Sequence, residues 1–295
     1  MQLLQYKIDV ETLHGEPFVV APLGDIQWDG TYESTSVRSV QRHIDNVLIK
    51  QGKFIGMGDY TDFASPSNRQ RLAQATLYDT AQNVIDHAGM HLIETLLTEM
   101  LAPTIGHWIG MLEGHHFLQL QTGYTTDQLL CELMKTTFIG TSAYIGLQFV
   151  SGKRPIGMVN IWCHHGVGSG YSMAAPLQKL EKVAGSWDAH IYLMGHQTKR
   201  AGAPIPKLYP EWDRRGINHK LRHIDRYIVG TGGFSRAYQE GSKQGNIPRG
   251  GYVEKAMLTP IVIGAPIIYI DPRIVNHDVN GKRHNYFQPE IKVEV

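Results

Sequence analysis

Apolar runs of strand length alternate with stretches whose apolar residues recur at helical spacing through about the first 200 residues. "PFVVAPLGDIQ" (17–27) reads as a buried strand that ends at Gly24-Asp25. Val37, Val40, Ile44, Val47 and Leu48 then share one face of a helix, with Gly52 after Lys50 as its stop. "KFIGMGDYTDF" (53–63) is a second strand and loop, and Ile85, Leu92, Leu96 and Met100 predict a helix from about 80 to 101. "HWIGMLEGHHF" (107–117) makes a third strand that runs into a polar turn. Thr125 or Thr126 can cap a helix through Met134, "AYIGLQFV" and "PIGMVNIWCHH" are two more strands, and "PLQKLEKVA" is a further helix. "WDAHIYLMGHQTK" (187–199) closes the series.

Beyond it the pattern turns loop-rich, with "YIVGTGGF", "GYVEKAML", "PIVIGAPIIYI" and "EIKVEV" reading as strands and little helix between them. No internal repeat or low-complexity tract breaks the chain, so a single domain over 1–295 is expected, with a β-rich part at 201–295. Strands alternating with helices predict an α/β fold of α+β type.

Composition supports a sizeable core, since 42% of the 295 residues are hydrophobic and 19% charged. No window approaches the length of a bilayer span, and the start, MQLLQYKIDVETLHG, lacks the pattern of a secretory leader. A cytoplasmic protein with no membrane partner is expected. Two cysteines cannot build a disulfide framework, and Cys163 beside His164 reads as a buried thiol at a strand end. The net charge of +1 hides an uneven distribution. Residues 199–249 hold eleven Lys or Arg against four Asp or Glu, a local +7 that leaves −6 for the rest. Such a field suits an anionic partner, and also a solvated face.

The strand ends share a theme. Five successive runs finish in turns rich in metal-type ligands: Gly24-Asp25-Ile26-Gln27, Gly58-Asp59-Tyr60-Thr61-Asp62, Gly114-His115-His116, His164-His165-Gly166 and Gly195-His196-Gln197-Thr198. Open α/β sheets gather ligands at the carboxyl ends of their strands, so the five turns are expected to meet in one crevice.

In order and approximate spacing, over roughly residues 18–200, these blocks resemble the calcineurin-like metallophosphoesterases, whose run is usually GDxH, GDxxD, GNH(D/E), a strand-end His, and GHxH. "HHGV" looks most like the nuclease branch of that family, and the tail "GGYVEKAMLTPIVIGAP" resembles phage-encoded members. The resemblance implies a two-layer β-sandwich flanked by helices and one or two divalent ions, manganese or zinc before magnesium or iron. It implies Asp25 on the first ion, Asp59 bridging both, and His164 and His196 on the second. His116 is the implied general acid. The implied activity is phosphodiester hydrolysis, with DNA or RNA the leading substrate. A small-molecule phosphodiesterase and a ligand-depleted scaffold or binding protein are the alternatives.

Three positions depart from the pattern. Gln27 stands where GDxH has histidine, His115 where GNH has asparagine, and Thr198 where GHxH ends in histidine. The first site is then weak, oxygen-ligated through Gln27 and Thr198, or empty, while His115 adds a third imidazole to the second. His165 is a further candidate ligand. Lys199, Arg200, Arg214 and Arg215, with Lys207 and Lys220, are the candidate substrate-binding cations. Other signals are weaker. Asp62 is expected to order its loop, His43 to lie on the surface of the first helix, His87 and His91 to share a polar helix face, and "VGTGG" (229–233) to be a turn. His190, His219 and His223 have no motif around them.

Overall fold

The computed structural model describes residues 1–75, 79–168, 170–212, 219–244, 246–255, 257–279 and 282–295. The strands are β1 Gln2–Asp9, β2 Phe18–Leu23, β3 Lys53–Gly56, β4 Trp108–Met111, β5 Ser142–Ser151, β6 Arg154–His164, β7 Ile191–Met194, β8 Arg200–Trp212, β9 His219–Thr231, β10 Lys243–Gln244, β11 Ile247–Pro248, β12 Ile267–Asp271, β13 Ile274–Val279, β14 Lys282–Phe287 and β15 Glu290–Glu294. The helices are α1 Val37–Ile49, α2 Pro66–Gln74, α3 Asp79–Leu96, α4 Thr126–Leu133, α5 Ala175–Ser186 and the single turn α6 Tyr252–Lys255.

Two large sheets dominate: six strands in the order β1-β5-β6-β7-β9-β8, and five in the order β15-β12-β2-β3-β4. The fold is mixed α/β. Val20, Ile55, Ile268 and Ile270 of the second sheet share one apolar cluster with Ile145, Leu147, Val159, Ile161, Leu193 and Val229 of the first. The sheets therefore face each other across a common core, and each has helices on its other side. Val37, Val40, Ile44 and Val47 of α1 pack with Ile93 of α3 and Leu130 of α4 against the second sheet, and Leu180 and Ala184 of α5 cover Trp162, Tyr192 and Ile228 of the first. The helix start anticipated near Thr125 is a full capping box. The Thr125 hydroxyl accepts from the Gln128 N–H and the Gln128 side chain accepts from the Thr125 N–H.

Register decides where the turns fall. β2, β3 and β4 run parallel with Leu23 opposite Gly56 and Gly56 opposite Met111, so their carboxyl ends are level. β6, β7 and β9 are likewise parallel, with His164 opposite Met194 and Met194 opposite Gly230. Both sets of ends open at one edge of the layered sheets.

Several expectations are corrected. The part expected to be β-rich but broken by loops carries the longest strands among the described residues, β8 and β9, paired antiparallel from Arg200↔Thr231 to Trp212↔His219. β8 is an edge strand and holds Pro204, Pro206 and Pro210. In "GYVEKAML" the residues Tyr252–Lys255 form a helical turn rather than a strand. His43 is buried, 7% exposed, on the flank of the apolar stripe of α1. β1, paired parallel with β5, and α2 were not anticipated. Among the described residues, no helix is long and apolar enough to cross a membrane.

Candidate metal centre

The left-handed backbone region is sparsely used by residues with a side chain. Nine non-glycine residues occupy it among those described, and five of them are Asp25, Gln27, Asp59, His196 and Thr198. These are all turn residues at the strand ends, and conformations of that kind persist only where the surroundings hold them. Here the turns hold one another. The Asp25 N–H donates to the Gly58 carbonyl at 2.9 Å, the Gln27 N–H to the Asp59 carbonyl at 3.0 Å, and the Phe234 N–H to the Asp25 carbonyl at 2.9 Å.

Two glycines set how closely the turns approach. Gly58 has φ +87°, and a Cβ on it would press on the Gly114 backbone and the His165 ring. A Cβ on Gly114 would collide with the Asp59 backbone nitrogen and carboxylate. With neither Cβ present, Asp59 Oδ1 accepts the backbone N–H groups of both His115 and His116. Asp25 Oδ2 accepts the His196 N–H at 2.9 Å across the two sheets. One oxygen of each carboxylate is thus spent on orienting a histidine turn, and the other is left over.

Two overlapping groups result. Asp25, Asp59 and His165 bring ligand atoms within 4.8 Å of one another, as do His115, His165 and His196. His165 belongs to both. Its Nδ1 lies 2.6 Å from the Met57 carbonyl, so Nδ1 carries the donated hydrogen and Nε2 faces the carboxylates. His115 and His196 face each other through Nδ1 atoms 3.2 Å apart, their rings edge to face. Such groups can hold a divalent metal ion, and the polar atoms fit that use. Asp25 Oδ1, Asp59 Oδ2 and His165 Nε2 are all buried without a hydrogen-bond partner. Asp59 Oδ2 and His165 Nε2 are 3.2 Å apart, yet not aligned as a hydrogen bond. Buried polar atoms left unpaired are costly, and a cation would satisfy all three together.

Electrostatics reflect buried ligands of both signs packed close together. Burial, with Asp59 adding to it, raises the Asp25 pKa to about 7. At Asp59 burial is outweighed by His165, His116 and the His115 N–H, and the carboxyl falls below its usual range. At His165 the balance again defeats burial, and Asp59 and Asp25 lift the pKa to about 9. Burial, then His165 and His115, lowers His196 to about 4.

Of the residues singled out from sequence, Asp25, Asp59, His115, His116, His165 and His196 come together. His164 does not join either group. Its Nδ1 accepts the Gly166 N–H at 2.7 Å and its ring stacks at 5.9 Å on Trp162, on the α5 side of the sheet. Its neighbour His165 takes the place expected for it. Thr198 stands beside Asp25, both within 3.1 Å of the Cβ position of Gly233, and its hydroxyl donates to the adjacent Gln197 carbonyl. Gln27 is half-buried at the rim. His116 Nδ1 pairs with Asp62 Oδ1 at 2.6 Å, with Nε2 4.0 Å from Asp59 Oδ2. Burial would lower the His116 pKa, but the Asp62 hydrogen bond and the Asp59 charge raise it.

The cations fare differently. Lys199 is buried, 6% exposed, with its ammonium donating to the Gly170 carbonyl, so it does not flank a cleft as expected. Lys207 donates to the Ala184 carbonyl at the end of α5. Arg200 is half-buried in a small recess with Arg42 and His43. Arg214 and Arg215 lie outside the described residues, and the side chain of Lys220 is likewise not described.

Two supporting residues escaped the sequence reading, and a third, Asp62, was read in another role. Arg69 donates to the carbonyls of Ala64, His115 and Phe117 and stacks 3.9 Å over the Phe117 ring, which fixes the histidine turn. Asp127, fully buried in the first turn of α4, accepts the Gly114 N–H at 2.9 Å. Asp62, read as a loop residue, orients His116. Only Asp62 had a signal, as the last carboxylate of the GDxxD block. No protein-family model matches the chain, and a search of curated proteins finds no match to it.

Proposed function

We propose that this protein is a metal-dependent phosphoesterase of the calcineurin-like metallophosphoesterase type, hydrolysing phosphodiester bonds in nucleic acid. The observation that carries the reading is the convergence of three buried ligand atoms without a hydrogen-bond partner, Asp25 Oδ1, Asp59 Oδ2 and His165 Nε2, from three different strand ends. The two facing sheets with helices outside them, and the meeting of the turns at their carboxyl edge, support the same reading. Asp25, Asp59 and His165 would hold one ion; His115 and His196 would take part in a second, or with His165 hold a shifted position of the first. Imidazole with carboxylate suits zinc or manganese better than magnesium. When bound, such ions supply Lewis acidity and a hydroxide at neutral pH.

The chain's own groups divide the remaining work. His116, whose protonated form Asp62 and Asp59 favour, would give its proton to the leaving oxygen. Asp59 Oδ1 keeps His115 and His116 in place through their backbone N–H groups, and Arg69 stiffens the same turn. The nucleic-acid part of the proposal rests on the local +7 of residues 199–249. With Lys199 and Lys207 bound to carbonyls, Arg200, Arg214 and Arg215 are the cations proposed to meet it. A scaffold role is favoured by one observation: the Thr198 hydroxyl is turned to a backbone carbonyl where the family places a ligand.

Metal analysis of the purified protein, run beside hydrolysis of an aryl phosphodiester with added manganese or zinc, tests the proposal. The wild type should bind metal and turn over, and Asp59→Asn should lose both. Metal binding without hydrolysis of either the aryl diester or an oligonucleotide would favour the scaffold. Absence of metal binding would refute the site.

A further inference from the structure

The two groups of ligand atoms at the metal centre cannot both be complete at once. Asp25, Asp59 and His165 form one, His115, His165 and His196 the other, and His165 belongs to each. Its Nδ1 faces the Met57 carbonyl at 2.6 Å, which leaves Nε2 as its one free nitrogen. That nitrogen has a single lone pair in the neutral ring and ligates a single ion. Among the described residues, both sets of three ligand atoms within 4.8 Å of one another include His165, and neither joins His115 and His196 to a carboxylate. An ion placed without His165 therefore has at most two of these residues as ligands.

Nothing nearby completes a second site. Gln27 and Thr198, which stand where the resemblance puts histidines, offer only neutral oxygens, and the Thr198 hydroxyl donates to the Gln197 carbonyl at 2.8 Å. Asp59 Oδ1 accepts the backbone N–H groups of His115 and His116, so Asp59 cannot span two ions with one oxygen on each.

Burial and pairing then rank the two groups. Asp25 Oδ1, Asp59 Oδ2 and His165 Nε2 are closed to solvent, stand within 4.8 Å of one another and have no hydrogen-bond partner, a cost that a cation bound among them removes. Two carboxylates also offset the charge of a divalent cation, which three neutral imidazoles do not. His115 and His196 carry no such cost. Both are half-buried, and one ring can donate its Nδ1 hydrogen to the other across 3.2 Å.

We infer that the centre holds one divalent ion, on Asp25, Asp59 and His165, and that His115 and His196 stay outside its ligand set as an imidazole pair. The inference rests on the metal-dependent reading above and departs from the resemblance, which puts an ion on His196.

Metal content tests it independently of activity. Chelator-treated protein is reloaded with excess zinc or manganese, freed of loose metal by gel filtration and analysed for bound metal, beside a calorimetric titration. Wild type should hold one equivalent. His115→Ala and His196→Ala should hold one as well. Asp25→Asn should bind at least about tenfold more weakly, since even a group hydrogen-bonded to a ligand is worth about 10- to 100-fold in metal affinity. Asparagine suits the left-handed backbone at position 25, where φ is 48°, and His165→Gln gives a second loss if that variant does not fold. Two tight equivalents in wild type would overturn the inference and leave the metal-dependent reading standing. One equivalent that His115→Ala or His196→Ala removes and Asp25→Asn keeps would overturn it by moving the ion to the imidazoles. No metal in wild type would refute the centre itself, and the inference with it.

Discussion

Acidification should destabilise the protein through the imidazole of His43. The ring is 7% exposed, its Nε2 has no hydrogen-bond partner, and it packs 5.9 Å from the Phe234 ring. Burial, with Arg200 adding to it, presses its pKa down to about 4. In the unfolded chain the same group titrates near about 6.5. Between those two values the unfolded state binds a proton that the folded state refuses, so stability falls as pH drops through that window and levels off below about 4. The gap corresponds to about 3 kcal/mol in full, of which about 2 kcal/mol is lost between about pH 7.5 and pH 5. Urea unfolding of the wild type and of His43→Leu across that range isolates the contribution, since every other titrating group is common to both. The wild-type curve should fall more steeply by about 2 kcal/mol, and the variant should be the more stable at pH 5 relative to its own value at pH 7.5. Curves that run parallel would show that the imidazole protonates freely in the folded state, and would refute the burial argument.

Replacing His165 by Ala should abolish tight metal binding, whereas His164→Ala should leave metal content close to wild type; equal losses in calorimetric metal titrations would undo the assignment of His165. Asp62→Asn should leave metal content unchanged and lower turnover, with the alkaline limb of the rate profile moving to lower pH as His116 loses the partner that raises its pKa; an unmoved limb would separate Asp62 from His116. Gly114→Ala should cost several kcal/mol of stability, of order ~3 or more, because its Cβ meets Asp59 backbone rather than a movable side chain, and a melting temperature like that of wild type would contradict the packing.

Much of the layered fold was legible because its strands are short apolar runs closed by polar turns, and the five turns at their ends were visible in order. The resemblance puts His164 on the second ion and leaves His165 a further candidate, whereas strand geometry favours His165. Alternate residues of β6 face opposite ways, so Trp162 and His164 share the α5 side, while Cys163 and His165 share the side that meets Met57 and Asp59. His43 could have been read as buried from its place three residues after Val40 and four before Val47 on α1. Arg69 and Asp127 could not, since each acts on a backbone group 13 to 48 residues away, and nothing local in the sequence encodes that contact. β1 lacks a clean apolar alternation because, at the edge of its sheet, half of its residues are exposed and a single one is buried.

The prolines of β8 bear on how copies of the chain meet. Residues 204, 206 and 210 have the same parity along an edge strand whose other side is bonded to β9, and proline has no N–H to give. They are tolerated where the missing donors would have pointed outward, away from the ladder. An incoming strand laid against this margin would find carbonyls without the donors it needs at three of its stations, and would gain no continuous ladder. The sheet is thus closed to extension along 204–210, and any molecule that docks on this margin must grip side chains.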